Sequence, residues 1–465
     1  MHAEPASPPR PGAASPRSPT PPFVWTATLL ALSAGFGLGA GLFAHPAGAW
    51  WPAAAQAHGH AQLFGWAGLL VLGVSFHFLP RLRGAPLAGA GLVPWVLALY
   101  GGGVALRVLL QPLAAGTPAL AGVLPLTALL ELAGALLAVG VLGVTLWRGA
   151  PLQTRLGLSP VLPYFVLGFF SLLASLLLNA LGLAAAAATG AALVPAPWQP
   201  LLIHLTFFGF LVPLSLAMSA RTFPLYLGVR PPSSRALAGV LGGLGIGLGL
   251  RLAGMGAALS GVEALGSLVE GVALLAAAWV LDAPLGRTRG EVAAAAQARA
   301  RALGVAPRSP APLPPEVAPA NALLRTAYAW LVLAALLLLA GAAARLGAGP
   351  VPPADAERHA LGAGFIALLI LGMGARLLPG FLGRRLASAR LVWVTLWLGN
   401  AAAVLRAVPA LVPWLLAMSG GPASPLRGVL AASGALAGLV DLVAVAALGW
   451  NLWRTWRGGE TRAIN

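Results

Sequence analysis

Long apolar runs alternate with short polar breaks along almost the whole chain. Crossing a bilayer as an α-helix takes about 20 consecutive apolar residues. Runs near that length lie at 23–44, 58–79, 86–110, 119–147, 159–187, 200–220, 234–256, 261–282, 322–346, 358–378, 388–408 and 428–453. The pattern predicts twelve membrane-spanning helices joined by short connections. Two stretches break it. Residues 1–22 are rich in Pro, Ser and Ala and carry Arg10 and Arg17, which reads as a disordered tail. The connection after the eighth run is the only long polar one, and its Gly290 to Leu303 portion predicts a short surface helix.

Within the apolar runs one skeleton is written three times. From His60, a Gly follows at +5 (Gly65), a His at +17 (His77) and a Pro at +20 (Pro80). From His204 the same offsets land on Gly209, Arg221 and Pro224, and from His359 on Gly364, Arg376 and Pro379. A further offset, +47, lands on Arg107, Arg251 and Arg406. Recurrence at fixed spacing marks structural repeats. The expected fold is therefore an all-α polytopic membrane bundle of about twelve helices in three four-helix repeats, with pseudo-threefold symmetry. The expected division is a tail 1–22, repeats 23–156 and 157–283, a linker 284–320, a third repeat 321–457 and a tail 458–465.

Composition agrees with a membrane protein. The chain has 465 residues, 59% hydrophobic and 8% charged, against about 25% charged in a soluble domain. There is no cysteine, which excludes disulfides and thiolate-ligated clusters. The net charge of +17 comes from arginines. In a multi-pass protein it points to loops facing anionic lipid rather than to nucleic acid. Placing both termini in the cytoplasm puts the Arg81/Arg83, Arg148/Arg155, Arg221/Arg230/Arg235, 287–308, Arg384/Arg385 and Arg454/Arg457 clusters on one side, as the positive-inside rule asks. This predicts a plasma (inner) membrane protein whose His60, His204 and His359 lie at the outer ends of the second, sixth and tenth helices.

Arg107, Arg251 and Arg406 then sit toward the outer ends of the third, seventh and eleventh helices. A charge at membrane depth costs roughly 2.5–3.5 kcal/mol on insertion scales, so partners are expected. One reading pairs the arginines with the fourth-helix acids Glu131, Glu270 and Asp441; the other turns them toward anionic groups of a bound cofactor, such as heme propionates.

Histidines at one level of three helices are candidate ligands, since neutral imidazole binds iron and copper well. Two facing histidines are able to hold a heme iron between apolar helices. Gly65, Gly209 and Gly364, one turn below, either leave room for a macrocycle or permit close helix packing. His58 stands two residues before His60, about 200° around a helix, so a regular helix cannot aim both at one site. His77 lies on the order of 25 Å below His60 along the axis, so it belongs to the inner interface.

Twelve helices in three groups of four, with His on the second, sixth and tenth, resemble the catalytic subunit of heme-copper oxidases and nitric oxide reductases. That resemblance implies His60 (or His58) and His359 as axial ligands of a low-spin heme, and His204 as a copper ligand. The seventh-helix histidine pair of that family is missing from Ser234 to Gly254, and the tenth helix carries His359 alone. Reduction of oxygen or nitric oxide is therefore not expected. The run His58-Gly59-His60-Ala61-Gln62-Leu63-Phe64-Gly65 with Pro80, and its recurrence at His204 and His359, more closely resembles the NnrS family of heme- and copper-containing membrane proteins of the nitric oxide response. Where that family often has an acid after the second His, this chain has Ala61.

The implied function is a heme b-binding, copper-accommodating membrane protein in nitric oxide response or electron transfer, working with the lipid bilayer and a redox partner. The favoured axial pair is His60 with His359, His204 is a third or copper ligand, and His58, Gly65, Gly364, Arg107, Arg251 and Arg406 border the cofactor. The alternatives are a transporter, which threefold parallel repeats disfavour, and a cofactor-free subunit of a respiratory complex.

Overall fold

The computed structural model describes residues 18–44, 48, 50–149, 151, 157–303, 313–347, 349–418 and 427–458. Most of the tail 1–22 and part of the linker 284–320 lie outside them. Twelve helices are long and apolar enough to cross a membrane. They are α1 (Thr20–Ala44), α2 (Trp50–Arg83), α3 (Ala90–Ala114), α4 (Pro118–Trp147), α5 (Leu162–Ala187), α6 (Trp198–Tyr226), α7 (Ser234–Gly256), α8 (Ser260–Val280), α9 (Val317–Arg345), α10 (Ala354–Leu377), α11 (Ala389–Met418) and α12 (Gly428–Arg457). Between α8 and α9 the expected surface helix forms over Arg289–Ala302 and buries no residue.

The helices begin and end where the sequence supplies the means. Proline occupies the first turns of α1 and α5, where its missing N–H costs nothing. Gly84, Gly228 and Gly383 take left-handed φ values of 66°, 65° and 63° just after α2, α6 and α10. Each stands 24 residues after the repeat histidine and four after the repeat proline. In the first two repeats this glycine caps the helix directly, while in the third α10 stops at Leu377 and Gly383 caps the short 3-10 turn Gly380–Leu382 that follows.

The units close into a ring. The last helix of each packs on the first of the next: α4 on α5, α8 on α9, and α12 on α1. α2, α6 and α10 form the centre, where the middle turns of α2 touch those of α6 and α10. Their most apolar 18-residue stretches are 83%, 72% and 72% buried, against 17% for α11. The second helix of each repeat therefore faces protein, and α11 presents Trp397 and Val408 outward to lipid. The protein is an all-α, multi-pass membrane bundle built as three four-helix repeats.

Candidate functional site

The structure moves the start of α2. The Trp50–Ala57 stretch, which carries Pro52 and reads as loop, is helical, so His58 and His60 lie well inside the helix rather than at its head. On a regular helix residues two apart point in nearly opposite directions, and these do. His60 Nε2 meets the Glu131 carboxylate of α4 at 3.0 and 2.9 Å. His58 turns to α1, its Nδ1 2.8 Å from the Gly35 carbonyl oxygen. A Cβ on Gly39 would stand 2.8 Å from His58 Cε1, so this glycine makes the seat for the ring.

His204 repeats the His60 arrangement. Its Nε2 lies 2.8 Å from Glu270 Oε1 on α8. His60 lies on Phe64 at 4.7 Å between ring centroids and His204 on Phe208 at 4.4 Å, each aromatic four residues further on. Gly103 and Gly247, each 43 residues after its histidine, admit the acid: a Cβ there would fall 2.7 Å from Glu131 Cγ and 2.6 Å from Glu270 Cγ. Both pairs are buried.

The third repeat breaks the symmetry. At the Phe position it has Ala363, at the glycine position Ala402, and its α12 acid Asp441 is buried with no hydrogen bond recorded to another described residue. His359 instead bonds within α10, its Nδ1 2.8 Å from the Asp355 carbonyl oxygen and 3.2 Å from Asp355 Oδ1. Asp355 also receives Arg406 Nη2 at 2.7 and 2.8 Å. The groups near enough to act electrostatically on the His58 ring are His359, Arg406 and Asp355. Arg406 also stands over the Phe43 ring of α1 at 4.7 Å, so α10 and α11 come close to α1, on which the His58 ring is seated.

Hydrogen-bond direction separates the two kinds of histidine. A carbonyl oxygen only accepts, so Nδ1 of His58 and of His359 carries the proton, and Nε2 keeps its lone pair for a ligand. A carboxylate also accepts, so Nε2 of His60 and of His204 is the donor and offers no lone pair. Of the axial candidates, His60 has Nε2 engaged with Glu131, whereas His58 and His359 engage theirs with no described residue. His204 has its Nε2 engaged in the same way, with Glu270. Among the described residues no group of three or more His, Cys, Asp or Glu side chains gathers where it would hold a metal ion.

The +47 arginines also part company. Arg251 makes the expected pair with Glu270, at 3.4 Å, and reaches Glu357 of α10 at 3.4 Å. Arg107 does not pair with Glu131. It is 2% exposed and bonds Gln111 Oε1 and Asn179 Oδ1 at 2.9 and 3.0 Å. Arg406 takes Asp355 rather than Asp441. The expected arginine–fourth-helix pairing holds in one repeat of three: Glu270 takes both His204 and Arg251, Glu131 takes His60 while Arg107 turns to Gln111 and Asn179, and Arg406 turns to Asp355. Only Arg406 is near enough to act on the His58 ring; Arg107 and Arg251 belong to buried networks in the first two repeats.

Gly65 and Gly364 serve packing. A Cβ on Gly65 would come 3.2 Å from Leu30 of α1, and one on Gly364 2.5 Å from Trp330 of α9. Each lets the central helix approach the first helix of its own repeat. His77 bonds Ser18 Oγ at 3.0 Å and stacks on Phe381 at 3.7 Å, at the far end of the bundle.

Two features lay beyond sequence reasoning. Each repeat histidine is followed at once by a π-helical turn: Ala61–Gly68, Leu205–Leu211 and Ala360–Ala367. Such turns concentrate at functional sites. The other is Asp355, whose spacing of four residues before His359 on one helix was the available signal.

No protein-family model and no curated protein matches the sequence. Among solved structures, a cryo-EM structure of a heme-copper terminal oxidase dimer aligns with 96% of this chain and 84% of that one, at a TM-score of 0.64 and 11% sequence identity. The chain therefore has a fold like that of a heme-copper oxidase.

Proposed function

We propose that the protein is a heme b-binding integral membrane protein of the NnrS type, acting in nitric oxide response or membrane electron transfer. One observation carries the reading. Two imidazoles from α2 and α10, His58 and His359, each have Nδ1 on a backbone carbonyl oxygen at 2.8 Å and no hydrogen bond at Nε2 among the described residues. A metal-binding histidine is usually held in this way by its second nitrogen, which fixes tautomer and ring orientation. The likeness to an oxidase fold supports the same reading at the level of architecture.

Bound between two imidazoles, heme b supplies reversible one-electron chemistry. The residues of this chain set its surroundings. Gly39 and the Gly35 carbonyl fix the His58 ring. Asp355 fixes His359 through its backbone oxygen and holds Arg406 through its carboxylate. Arg406 is the cation available to an anionic substituent of the ring. Both termini lie in the cytoplasm and the histidine end faces outward, as the arginine distribution requires. The units are residues 23–156, 157–283 and 321–457. Copper has weaker support, because among the described residues no third donor gathers with these imidazoles.

The test is a dithionite-reduced minus oxidised spectrum of detergent-purified protein expressed with heme supplied. A low-spin b-type spectrum with near-stoichiometric heme supports the reading. A colourless, folded protein rejects it.

A further inference from the structure

On the outer wall of the second repeat, α7 and α8 leave a groove of about 440 Å3 between them. Leu268 and Val272 on its rim are exposed, so it opens outward toward lipid. The wall runs from Ala236 to Gly243 on α7 and from Leu268 to Val280 on α8, about 11 and 18 Å along the axes. One leaflet contributes about 15 Å of hydrocarbon. The groove therefore starts at the membrane surface, where α7 begins and α8 ends, and closes near mid-depth. Every wall side chain is Gly, Ala, Val or Leu. Gly239 keeps it open: a Cβ there would meet nothing within 4 Å.

Two arginines stand at the mouth, one on each wall. Arg235 lies four residues before Gly239 and so on the same face of α7. Cα–Cβ bonds tilt toward the start of a helix, which leans this side chain toward the membrane surface. It is exposed and makes no ion pair or side-chain hydrogen bond among the described residues. Arg287 serves the α8 side. Its guanidinium lies 3.2 Å over the Trp279 ring, with Nε on Asp282 Oδ1 at 3.1 Å and Nη2 on the Trp279 carbonyl oxygen at 2.9 Å. Trp279 stands two turns after Val272 on the same face. The guanidinium is thus fixed at the groove's edge with Nη1 unengaged among the described residues. Asp282 and Glu291, the acids between the end of α8 and the end of the surface helix, already hold Arg287 and Arg230, so the mouth is left positive.

Shape and charge together select the occupant. The wall offers no polar group, so what lies in it is hydrocarbon, and its length matches one leaflet rather than a spanning helix of a second copy. The two cations at surface level call for an anion, and a tryptophan at that level suits a headgroup boundary. Under the proposed topology this end faces the cytoplasmic leaflet, where anionic lipids concentrate. We infer that the α7–α8 groove is a binding site for an anionic phospholipid, with one acyl chain lying between the helices and the phosphate drawn to Arg235 and Arg287.

The inference concerns lipid binding and is independent of the heme reading. The experiment is retention of radiolabelled phosphatidylglycerol or phosphatidylcholine by the delipidated full-length protein in detergent. Phosphatidylglycerol binds saturably and about tenfold tighter than phosphatidylcholine. Arg235→Gln weakens phosphatidylglycerol about fivefold, the worth of one arginine near a membrane surface, and leaves phosphatidylcholine unchanged. Gly239→Leu places a side chain in the open groove and abolishes saturable retention. Gly242→Leu is the control: its Cβ also meets nothing within 4 Å, but it lies off the groove wall, and binding is unchanged. Both leucines raise helix propensity, so the fold is kept. If Arg235→Gln does not purify as a folded protein, Gly239→Leu against Gly242→Leu still decides. Equal retention of the two lipids overturns the inference, as does phosphatidylglycerol binding unchanged in Arg235→Gln or in Gly239→Leu. A Gly239→Leu variant that alters only the oligomeric state assigns the groove to a second copy and overturns it as well. A heme-free protein that prefers phosphatidylglycerol in this way leaves the inference standing and rejects the heme proposal alone.

Discussion

A methyl group on Gly39 of α1 would stand 2.8 Å from Cε1 of His58 on α2. The ring is seated against backbone, with its Nδ1–H donating to the Gly35 carbonyl one turn earlier on the same helix. The position of the His58 ring is therefore set by α1 as much as by the histidine itself.

Gly39→Ala is thus expected to displace the His58 ring and lower heme content several-fold while leaving both histidines in place. Gly59, where a Cβ would meet nothing within 4 Å, is the control. Pyridine hemochrome quantification of Gly39→Ala and Gly59→Ala separates the two. Equal heme in both removes the seating role of Gly39.

The His60–Glu131 contact predicts coupling without colour loss. A buried hydrogen-bonded pair inside a membrane protein is worth about 0.6 kcal/mol on average in double-mutant cycles, and at most about 1.7 kcal/mol. A double-mutant cycle of His60→Ala and Glu131→Ala, read by unfolding in detergent, should return coupling of that order. His204 with Glu270 should behave alike, though Arg251 adds a third member to that network. A vanishing coupling energy would show that the pair does not hold α2 to α4.

Asp355 does two jobs, and substitutions separate them. Asp355→Asn keeps the backbone carbonyl that orients His359 and weakens the hold on Arg406. Heme binding should survive, and the midpoint potential should rise, because a negative charge near the iron stabilises the oxidised state. Arg406→Gln should shift it the other way. A redox titration checks both signs.

Outside the membrane, Asp282 staples α8 to the surface helix. It takes a left-handed φ of 49° and accepts from the backbone of Arg287 and Thr288, both at 2.8 Å. Burial alone would raise its pKa, but the Thr288 amide and hydroxyl and the Arg287 amide and guanidinium outweigh it and hold the group below its ordinary 3.8. Because the folded value is the lower one, the stabilisation is full above the ordinary carboxylate range and is lost as pH falls from there through the folded value. Limited proteolysis near residues 283–289 should therefore quicken below about pH 4, and Asp282→Ala should show the quickened rate already at neutral pH. A pH-independent rate in the native protein would rule the staple out.

Helix number, the threefold repeat and the single surface helix were legible because each is local: run length, fixed offsets and one Arg-rich gap with no apolar face. The inward facing of His60 and His204 was harder. It depends on α4 and α8 presenting Glu131 and Glu270, and the glycines that admit those acids, Gly103 and Gly247, carry meaning only once the helices are packed. The sequence shows that His58 and His60 cannot face one site, but not which neighbour each meets; that depends on the Gly35 carbonyl and the Gly39 seat on α1, which packing alone brings to His58. The departure of the third repeat was written at Ala363 and Ala402, where small residues stand in for Phe64 and Gly103.

The most direct measurement is the reduced-minus-oxidised spectrum of four single variants, His58→Ala, His359→Ala, His60→Ala and His204→Ala, each purified as a folded monodisperse protein. The account predicts that the low-spin Soret and α bands are lost in His58→Ala and His359→Ala and kept in His60→Ala and His204→Ala. Loss in His60→Ala with retention in His58→Ala would contradict it.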